Sequence, residues 1–178
     1  MLFYLFILIL IVLVAALFFV SKQPDEFCTT RSIKIAAPAP VIFPYINDLK
    51  RFNQWNPWAK MDPNSTVTFE GADQGDGAKM SWKGNNAVGQ GAMTNIETRT
   101  NELIRFKMDF LKPMKATNFA EFSLKSEGDF TVVSWSMKGK NNFISKLFHL
   151  LVNCDKMVGT QFEKGLADLK LLAEQPAK

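Results

Sequence analysis

The sequence predicts an α+β protein in which a curved antiparallel sheet of about seven strands wraps a long C-terminal helix, preceded by one transmembrane helix. Three observations support this prediction. Residues 2–20 form an unbroken apolar run, residues 66–137 alternate repeatedly between apolar and polar side chains, and residues 141–173 carry apolar side chains at three- and four-residue spacing. The first pattern is typical of a membrane helix, the second of half-buried strands and the third of an amphipathic helix.

The apolar run at the N-terminus is long enough for a membrane anchor. At about 1.5 Å of rise per residue, it approaches the roughly 30 Å hydrocarbon thickness of a bilayer. The alternative, a cleaved signal peptide, has a basic start, a shorter apolar core and a small-residue cleavage site. Here no Lys or Arg precedes the run, which ends in the bulky residues Leu17, Phe18, Phe19 and Val20. We therefore expect an uncleaved anchor at residues 1–21, followed by a polar linker at residues 22–30.

The charges beside the anchor indicate its orientation. Lys22, Arg31 and Lys34 follow the apolar run, whereas only the terminal amine precedes it. Lys and Arg are enriched in the cytoplasmic flanks of membrane helices. The sequence therefore favours a single-pass membrane protein whose soluble domain is cytoplasmic.

The soluble domain is predicted to begin with a strand and a helix. Residues 31–36 alternate apolar and polar side chains, as a strand does. Pro38 and Pro40 suit the first turn of a helix that continues to about residue 49, because proline has no N–H to leave unpaired there. Pro57 argues against regular helix in the next segment. We therefore expect residues 55–58 to form a loop.

Six further strands and a helix complete the predicted domain. The strands are expected at residues 66–70, 79–83, 89–98, 103–111, 117–124 and 131–137, with Gly-, Asn- and Pro-containing turns between them. The helix is expected to run without a break from residue 141 to residue 173. Gly159 and Gly165 each cost it about 1 kcal/mol relative to Ala, so we expect them where the helix packs closely. Residues 175–178 are a tail.

Composition argues against several classes of function. The 21 basic and 17 acidic residues are scattered along the chain, so the net charge of +4 does not indicate a nucleic-acid partner. His149 is the only histidine, and no carboxylate or cysteine cluster has the spacing of metal ligands. We therefore expect no metal, no other cofactor and no identifiable catalytic residue. Cys28 and Cys154 are predicted to be free thiols, with a disulfide between them as the alternative.

The order of elements and several short motifs resemble one superfamily. The chain is similar to the helix-grip proteins, also called SRPBCC or START-like, which include polyketide cyclase/dehydrase-like and birch-allergen-like members. The resemblance covers residues 31–174. It is carried by Ala37-Pro38, Asn47-Asp48-Leu49, Trp55-Asn56-Pro57-Trp58, Gly71, Gly75, Gly77, Phe110-Leu111-Lys112-Pro113, residues 131–139, Gly159 and residues 162–166. These residues are markers of a fold and include no catalytic motif.

The inward face of the predicted sheet is the candidate site. Its members are large and include several methionines, which adapt to varied apolar ligands. From the residues alone this face reads as an ordinary core, but the resemblance implies a cavity between the sheet and the long helix. The candidate lining residues are Met80, Trp82, Phe106, Met108, Phe110, Asn118, Phe122, Val133, Trp135 and Met137, with Thr94 as a further polar candidate. Trp55 and Trp58 are interpreted first as structural anchors of their loop, with a pocket mouth as the alternative.

Three functions agree with these observations. The leading prediction is a membrane-anchored protein that binds an apolar small molecule, such as a lipid or isoprenoid, without converting it. A cyclase- or dehydratase-type enzyme is the second, and it requires ionisable side chains inside the cavity. The third is a ligand-free interaction module at the membrane, which requires an exposed apolar patch. The sequence identifies no protein partner.

Overall fold

The computed structural model describes residues 2–175, without the side chains of Leu2, His149 and Leu151. Residues 1 and 176–178, which include most of the predicted tail, lie outside the described part. The elements in chain order are α1 (Leu2–Ser21), β1 (Glu26–Ile35), α2 (Ala39–Asn47), α3 (Leu49–Trp55), α4 (Pro57–Met61), β2 (Thr66–Glu70), β3 (Lys79–Lys83), β4 (Gln90–Arg99), β5 (Leu103–Lys112), β6 (Ala116–Glu127), β7 (Phe130–Lys140), α5 (Phe143–Leu151) and α6 (Cys154–Ala173).

The seven strands form one antiparallel sheet in the order β1-β7-β6-β5-β4-β3-β2. The chain therefore runs as a meander from β2 to β7, and β1 closes the sheet beside β7. The pairing of β4 with β5 shifts register near Gln90 and again near Asn95, and such irregularities bend a strand. The curved sheet, the C-terminal helix α6 and the preceding apolar helix α1 confirm the predicted fold class.

The first strand begins earlier than its alternation predicts. β1 starts at Glu26, which pairs with Lys140 at the end of β7. Only residues 22–25 therefore connect α1 to the sheet, where a linker to residue 30 was expected. The first half of β1 carries few apolar residues because it buries little beyond Thr29, so alternation does not reveal it.

The helical segment after β1 consists of three short helices. The Asp48 side chain begins α3 by accepting hydrogen bonds from the backbone N–H groups of Lys50 and Arg51. The Asn56 side chain accepts from the N–H of Trp58 and begins α4, whose first residue is Pro57. The prediction of a loop at residues 55–58 was therefore wrong. Proline stops a helix that precedes it but is favourable in the first turn of the next one.

The C-terminal helix is interrupted, which corrects the prediction of one continuous helix. Val152 adopts an extended conformation between α5 and α6, and the Asn153 side chain accepts from the N–H of Lys156 to begin α6. The three- and four-residue spacing of apolar side chains continues across the break. Such spacing does not reveal where a helix axis changes direction, so it did not predict the break. The two helices consequently face different surroundings.

The two ends of the sheet adjoin different parts of the chain. β1 begins where the chain arrives from α1. Because the strands are antiparallel, the C-terminal ends of β3, β5 and β7 lie at the same end of the sheet as the start of β1. We call this end of the sheet the α1 end and the opposite end the far end. Much of the solid core, including Ile35, Ile42, Ile46, Ile104 and Leu169, lies toward the far end and has no exposed surface.

Helix α1 has the length and composition of a membrane-spanning helix. Its apolar span is Phe3–Ser21, and nearly all of its side chains are exposed to the surroundings. A signal sequence near the N-terminus has the same two properties. Val20 is an exception to the exposure, because it is 5% exposed in the last turn, next to the folded domain.

Candidate ligand-binding cavity

A cavity of about 200 Å³ lies between the sheet, the segment α3–α4 and helix α6. For comparison, an engineered apolar cavity of about 150 Å³ in another protein binds benzene. The wall is formed by Phe52, Asn53, Asn56, Trp58, Ala59, Ser65, Val67, Met80, Trp82, Val88, Met93, Met108, Phe110, Ala120, Phe122, Trp135, Met137, Val158 and Phe162. The space is therefore sufficient for a small apolar molecule or for one end of a longer chain.

The cavity extends toward the α1 end of the sheet. Trp82 and Phe110 lie close to the ends of β3 and β5, and Met137 lies close to the end of β7. Val88 lies in the connection from β3 to β4, and Val158 lies in the first half of α6. All five residues are partly exposed, whereas Phe122, Trp135 and Phe162 in the deeper wall are almost fully buried.

The deeper wall is made of packed aromatic rings. Trp135 of β7 stacks on Phe162 of α6, with ring centroids 4.2 Å apart and an interplanar angle of 14°. Phe122 lies 4.7 Å from Trp135, and Trp58 contacts the same indole edge-on at 5.8 Å. These rings join the sheet, α4 and α6 around one side chain. Trp135 is thus the centre of this wall.

Two glycines allow the close packing that forms the wall. A Cβ atom at Gly165 would lie 2.9 Å from Cζ3 of Trp135 and 3.0 Å from Cδ of Pro57. A Cβ atom at Gly91 of β4 would lie 2.6 Å from Cζ2 of Trp82. All three distances are below normal van der Waals contact. Gly165 therefore lies where the helix packs closely, as its cost in a helix led us to expect.

The wall is almost entirely apolar. Its polar members are Asn53, Asn56 and Ser65, and the Oδ1 atom of Asn56 already accepts a hydrogen bond from the N–H of Trp58. The indole N–H of Trp135 is buried and has no hydrogen-bond partner within the described part of the chain. Among the described residues, none that lines the cavity is ionisable, and no group of three His, Cys, Asp or Glu is arranged to hold a metal ion.

The predicted site residues fall into two groups. Those that line the cavity are Met80, Trp82, Met108, Phe110, Phe122, Trp135, Met137 and Trp58. Those that lie outside its wall are Phe106, Val133, Asn118, Thr94 and Trp55. Phe106 and Val133 are fully buried in the solid core, and Asn118 is packed beside Gly139 of β7.

The positions of Trp55 and Thr94 explain why these two residues lie outside the wall. Trp55 has no exposed surface and donates its indole N–H to the carbonyl of Tyr45 at 2.9 Å, which agrees with a structural role. Thr94 follows the inward-facing Met93 on β4 and so points to the other side of the sheet. The binding of a ligand by any of these residues stays a prediction.

Several wall residues were not predicted from the sequence. Phe52, Val158 and Phe162 come from helices whose apolar stripes gave no indication of a cavity. Met93 belongs to β4, whose small and polar neighbours obscure the alternation.

The far end of the sheet also holds an unpredicted polar contact, in which Nδ2 of the buried Asn95 donates to Oδ1 of Asn47 at 3.3 Å.

An ion-pair cluster holds α6 against the first strand. Arg31 of β1 donates from Nη2 to Oδ2 of Asp155 at 2.9 Å and from Nε to Oε1 of Glu163 at 2.8 Å. The hydrogen bond from Arg31 lowers the pKa of Asp155 below its ordinary value.

Cys28 and Cys154 are both free thiols, and burial raises the pKa of Cys154. The predicted free state of both cysteines is confirmed.

Comparison with protein families gives one match that spans the folded domain. The sequence model of a family described as "Polyketide cyclase / dehydrase and lipid transport" matches residues 26–174. No curated protein matches the chain in sequence.

Solved structures with little sequence similarity share the architecture. A protein from Chromobacterium violaceum, CV1439, is 14% identical, with a TM-score of 0.61 over 86% of this chain and 100% of its own. The major latex-like protein 151 of Panax ginseng is 10% identical, with a TM-score of 0.59 over 85% and 100%. Ara h 8.0201 is 6% identical, with a TM-score of 0.57 over 83% and 97%. At such identities the likeness shows the fold alone.

Proposed function

Because the chain belongs to the polyketide cyclase/dehydrase and lipid transport family, we propose that it is a membrane-anchored protein that binds an apolar small molecule, a lipid or isoprenoid, and does not convert it. The single observation that carries this proposal is the cavity beside α6, whose described wall has no ionisable side chain. The family and the fold support a hydrophobic ligand-binding scaffold. The membrane anchor and the ligand class are our inference.

The composition of the wall supports an apolar ligand. Met80, Met93, Met108 and Met137 contribute flexible thioether side chains from four different strands. Such side chains change rotamer at low cost and adapt to ligands of different shape. Burial of apolar ligand surface contributes about 25 cal/mol per Å², so affinity does not require specific polar contacts. A ligand longer than the cavity would extend from the partly exposed α1 end.

The absence of ionisable groups from the described wall argues for binding without conversion. Cyclase and dehydratase chemistry moves protons and therefore needs an acid or a base within hydrogen-bond reach of the ligand. The amides of Asn53 and Asn56 and the hydroxyl of Ser65 orient a ligand but do not exchange protons near neutral pH.

The contact between α1 and the domain supports an uncleaved anchor. The ammonium group of Lys146 in α5 donates to the carbonyl oxygen of Ser21, the last residue of α1, at 3.2 Å. Val20 is buried in the same region. A leader that is removed after export has no reason to pack against the mature domain, whereas an anchor gains a fixed orientation from such contacts.

The proposal is tested with the full chain purified into nanodiscs and analysed by mass spectrometry of its organic extract. We expect a co-purifying apolar molecule and an intact N-terminus. Met108→Trp fills the cavity and should abolish co-purification. Met157→Trp is the matched control, because Met157 is 51% exposed on α6 and outside the wall. It should retain the molecule.

Two results would contradict the proposal. The first is an extract that contains only bulk nanodisc lipid, with no uptake when mixed lipids and isoprenoid quinones are supplied. The second is equal retention by the Met108→Trp and Met157→Trp variants, which would place the ligand elsewhere. A mature chain that begins after residue 20 would remove the anchor from the proposal without affecting the ligand.

A further inference from the structure

Helix α5 has the reverse of the exposure pattern of a helix in a water-soluble domain. Its apolar side chains Phe143, Ile144, Leu147, Phe148 and Leu150 are each between 42% and 62% exposed. Its single lysine, Lys146, is only 7% exposed. At about 100° per residue, the five apolar side chains occupy an arc of roughly 160°. The apolar face of α5 therefore points away from the domain.

The buried lysine ties α5 to the end of the membrane helix. Lys146 Nζ lies 2.5 Å from Oδ1 of Asp25 and 3.2 Å from the carbonyl oxygen of Ser21. The hydrogen bond and the charge of Lys146 lower the pKa of Asp25. In addition, Nδ2 of Asn141, which precedes α5, donates to the carbonyl oxygen of Pro24 at 3.1 Å. These bonds hold the polar side of α5 against the segment at which α1 leaves the bilayer.

Other exposed groups at the α1 end match a membrane surface. Leu111, near the end of β5, and Met114, in the connection from β5 to β6, are each 49% exposed. The exposed lysines at this end outnumber the exposed acids Asp25, Glu26 and Asp155. These lysines are Lys22, Lys112, Lys115, Lys138, Lys140 and Lys156. Lysines near a bilayer are attracted to anionic headgroups.

We propose that α5 lies in the headgroup–acyl boundary of the bilayer that α1 spans, with its apolar face inserted and its lysine side held against the domain. The proposal rests on the membrane anchor of the proposed function. It places the α1 end of the sheet, where the cavity is partly exposed, directly on the membrane. A ligand then passes between bilayer and cavity without crossing bulk water.

The occupant of this face is a lipid surface because of its continuity with α1. The hydrogen bonds from Lys146 to Ser21 and Asp25 hold α5 directly against the segment where the chain emerges from the membrane. A short helix with a wide apolar face at that height lies in the plane of the interface, buried by about 5–10 Å. A protein partner or a second copy would have to displace lipid to reach the same side chains.

The test is the depth of spin labels in the full chain, reconstituted at one copy per nanodisc of phosphatidylcholine and phosphatidylglycerol. In a Cys28→Ser, Cys154→Ser background, single cysteines are placed by Ile144→Cys, Phe148→Cys, Leu13→Cys in α1 and Leu171→Cys. Leu171 is the matched control, since it is an apolar residue 65% exposed on α6 toward the far end. Collision rates with oxygen, enriched in lipid, and with a water-soluble nickel chelate report the depth of each label.

The labels at residues 144 and 148 should show an oxygen-to-nickel ratio several-fold above that of residue 171 and approaching that of residue 13. A ratio equal to that of residue 171, with residue 13 still in lipid, would overturn this proposal and leave the anchor intact. A residue 13 label in water would overturn the anchor itself. Low collision rates with both reagents at residue 144 would show that protein covers the face, which also overturns the proposal.

Discussion

The half of the domain toward the far end of the sheet (the far half) and the half toward the α1 end (the α1 half) are built from the same kind of residue. The two halves are packed differently. In the far half, Trp55, Phe106 and Ile104 have no exposed surface, and the buried Asn95–Asn47 contact joins the sheet to α2. In the α1 half, Met108 and Met137 are partly exposed and border a cavity. The comparison indicates that the far half provides most of the stability, which leaves the α1 half free to adapt to a ligand.

The largest expected effect is the difference between truncations in the two halves. Phe106→Ala should lower the free energy of unfolding by about 3–5 kcal/mol, because it opens a void in closely packed surroundings. Met137→Ala enlarges a cavity that already exists and should cost about 1 kcal/mol. Urea unfolding of the full chain in detergent, followed by tryptophan fluorescence, measures both. Equal losses would show that the two halves are packed alike.

A smaller effect is expected where α6 meets the wall. Gly165→Ala should destabilise the protein by about 1–3 kcal/mol, since the new methyl group overlaps Trp135 and Pro57. Its gain of about 1 kcal/mol in helix propensity does not offset this overlap. Lys164→Ala, at an exposed position of the same helix, is the control and should be nearly neutral. Net stabilisation by Gly165→Ala would mean that the wall yields easily.

The smallest effect is the pH dependence of the α1 half. Because Arg31 lowers the pKa of Asp155, this ion pair contributes stability above the ordinary carboxyl value of 3.8, and the contribution is lost as pH falls below that value. Both groups are partly exposed and solvent screens their attraction, so only a small effect is expected. Thermal unfolding between neutral and acidic pH should show a smaller acid loss in Asp155→Asn and in Arg31→Met than in the unchanged chain. The same acid loss in all three proteins would show that this ion pair does not contribute to the pH dependence.

Local sequence patterns predicted much of the fold because they depend on neighbours in the chain. Alternation located the strands from β2 to β7 within a few residues, and the resemblance to the helix-grip proteins is confirmed by the family match. The start of β1 at Glu26 was missed because its partner, β7, lies far away in sequence. The break at Val152 was missed because it is marked by the capping side chain of Asn153, which begins α6, and not by a change in apolar spacing.

The sequence by itself determined the length of the apolar helix, the inward faces of β3, β5, β6 and β7 and the shortage of chemistry-bearing residues on those faces. Only the tertiary structure decided what lies opposite each inward residue. Phe106 and Met108 are two positions apart on the same face of β5, yet one is fully buried in the core and the other borders the cavity. Periodicity fixes the side of the sheet from which a side chain projects. Whether that side chain meets protein or open space depends on helices packed from distant parts of the chain.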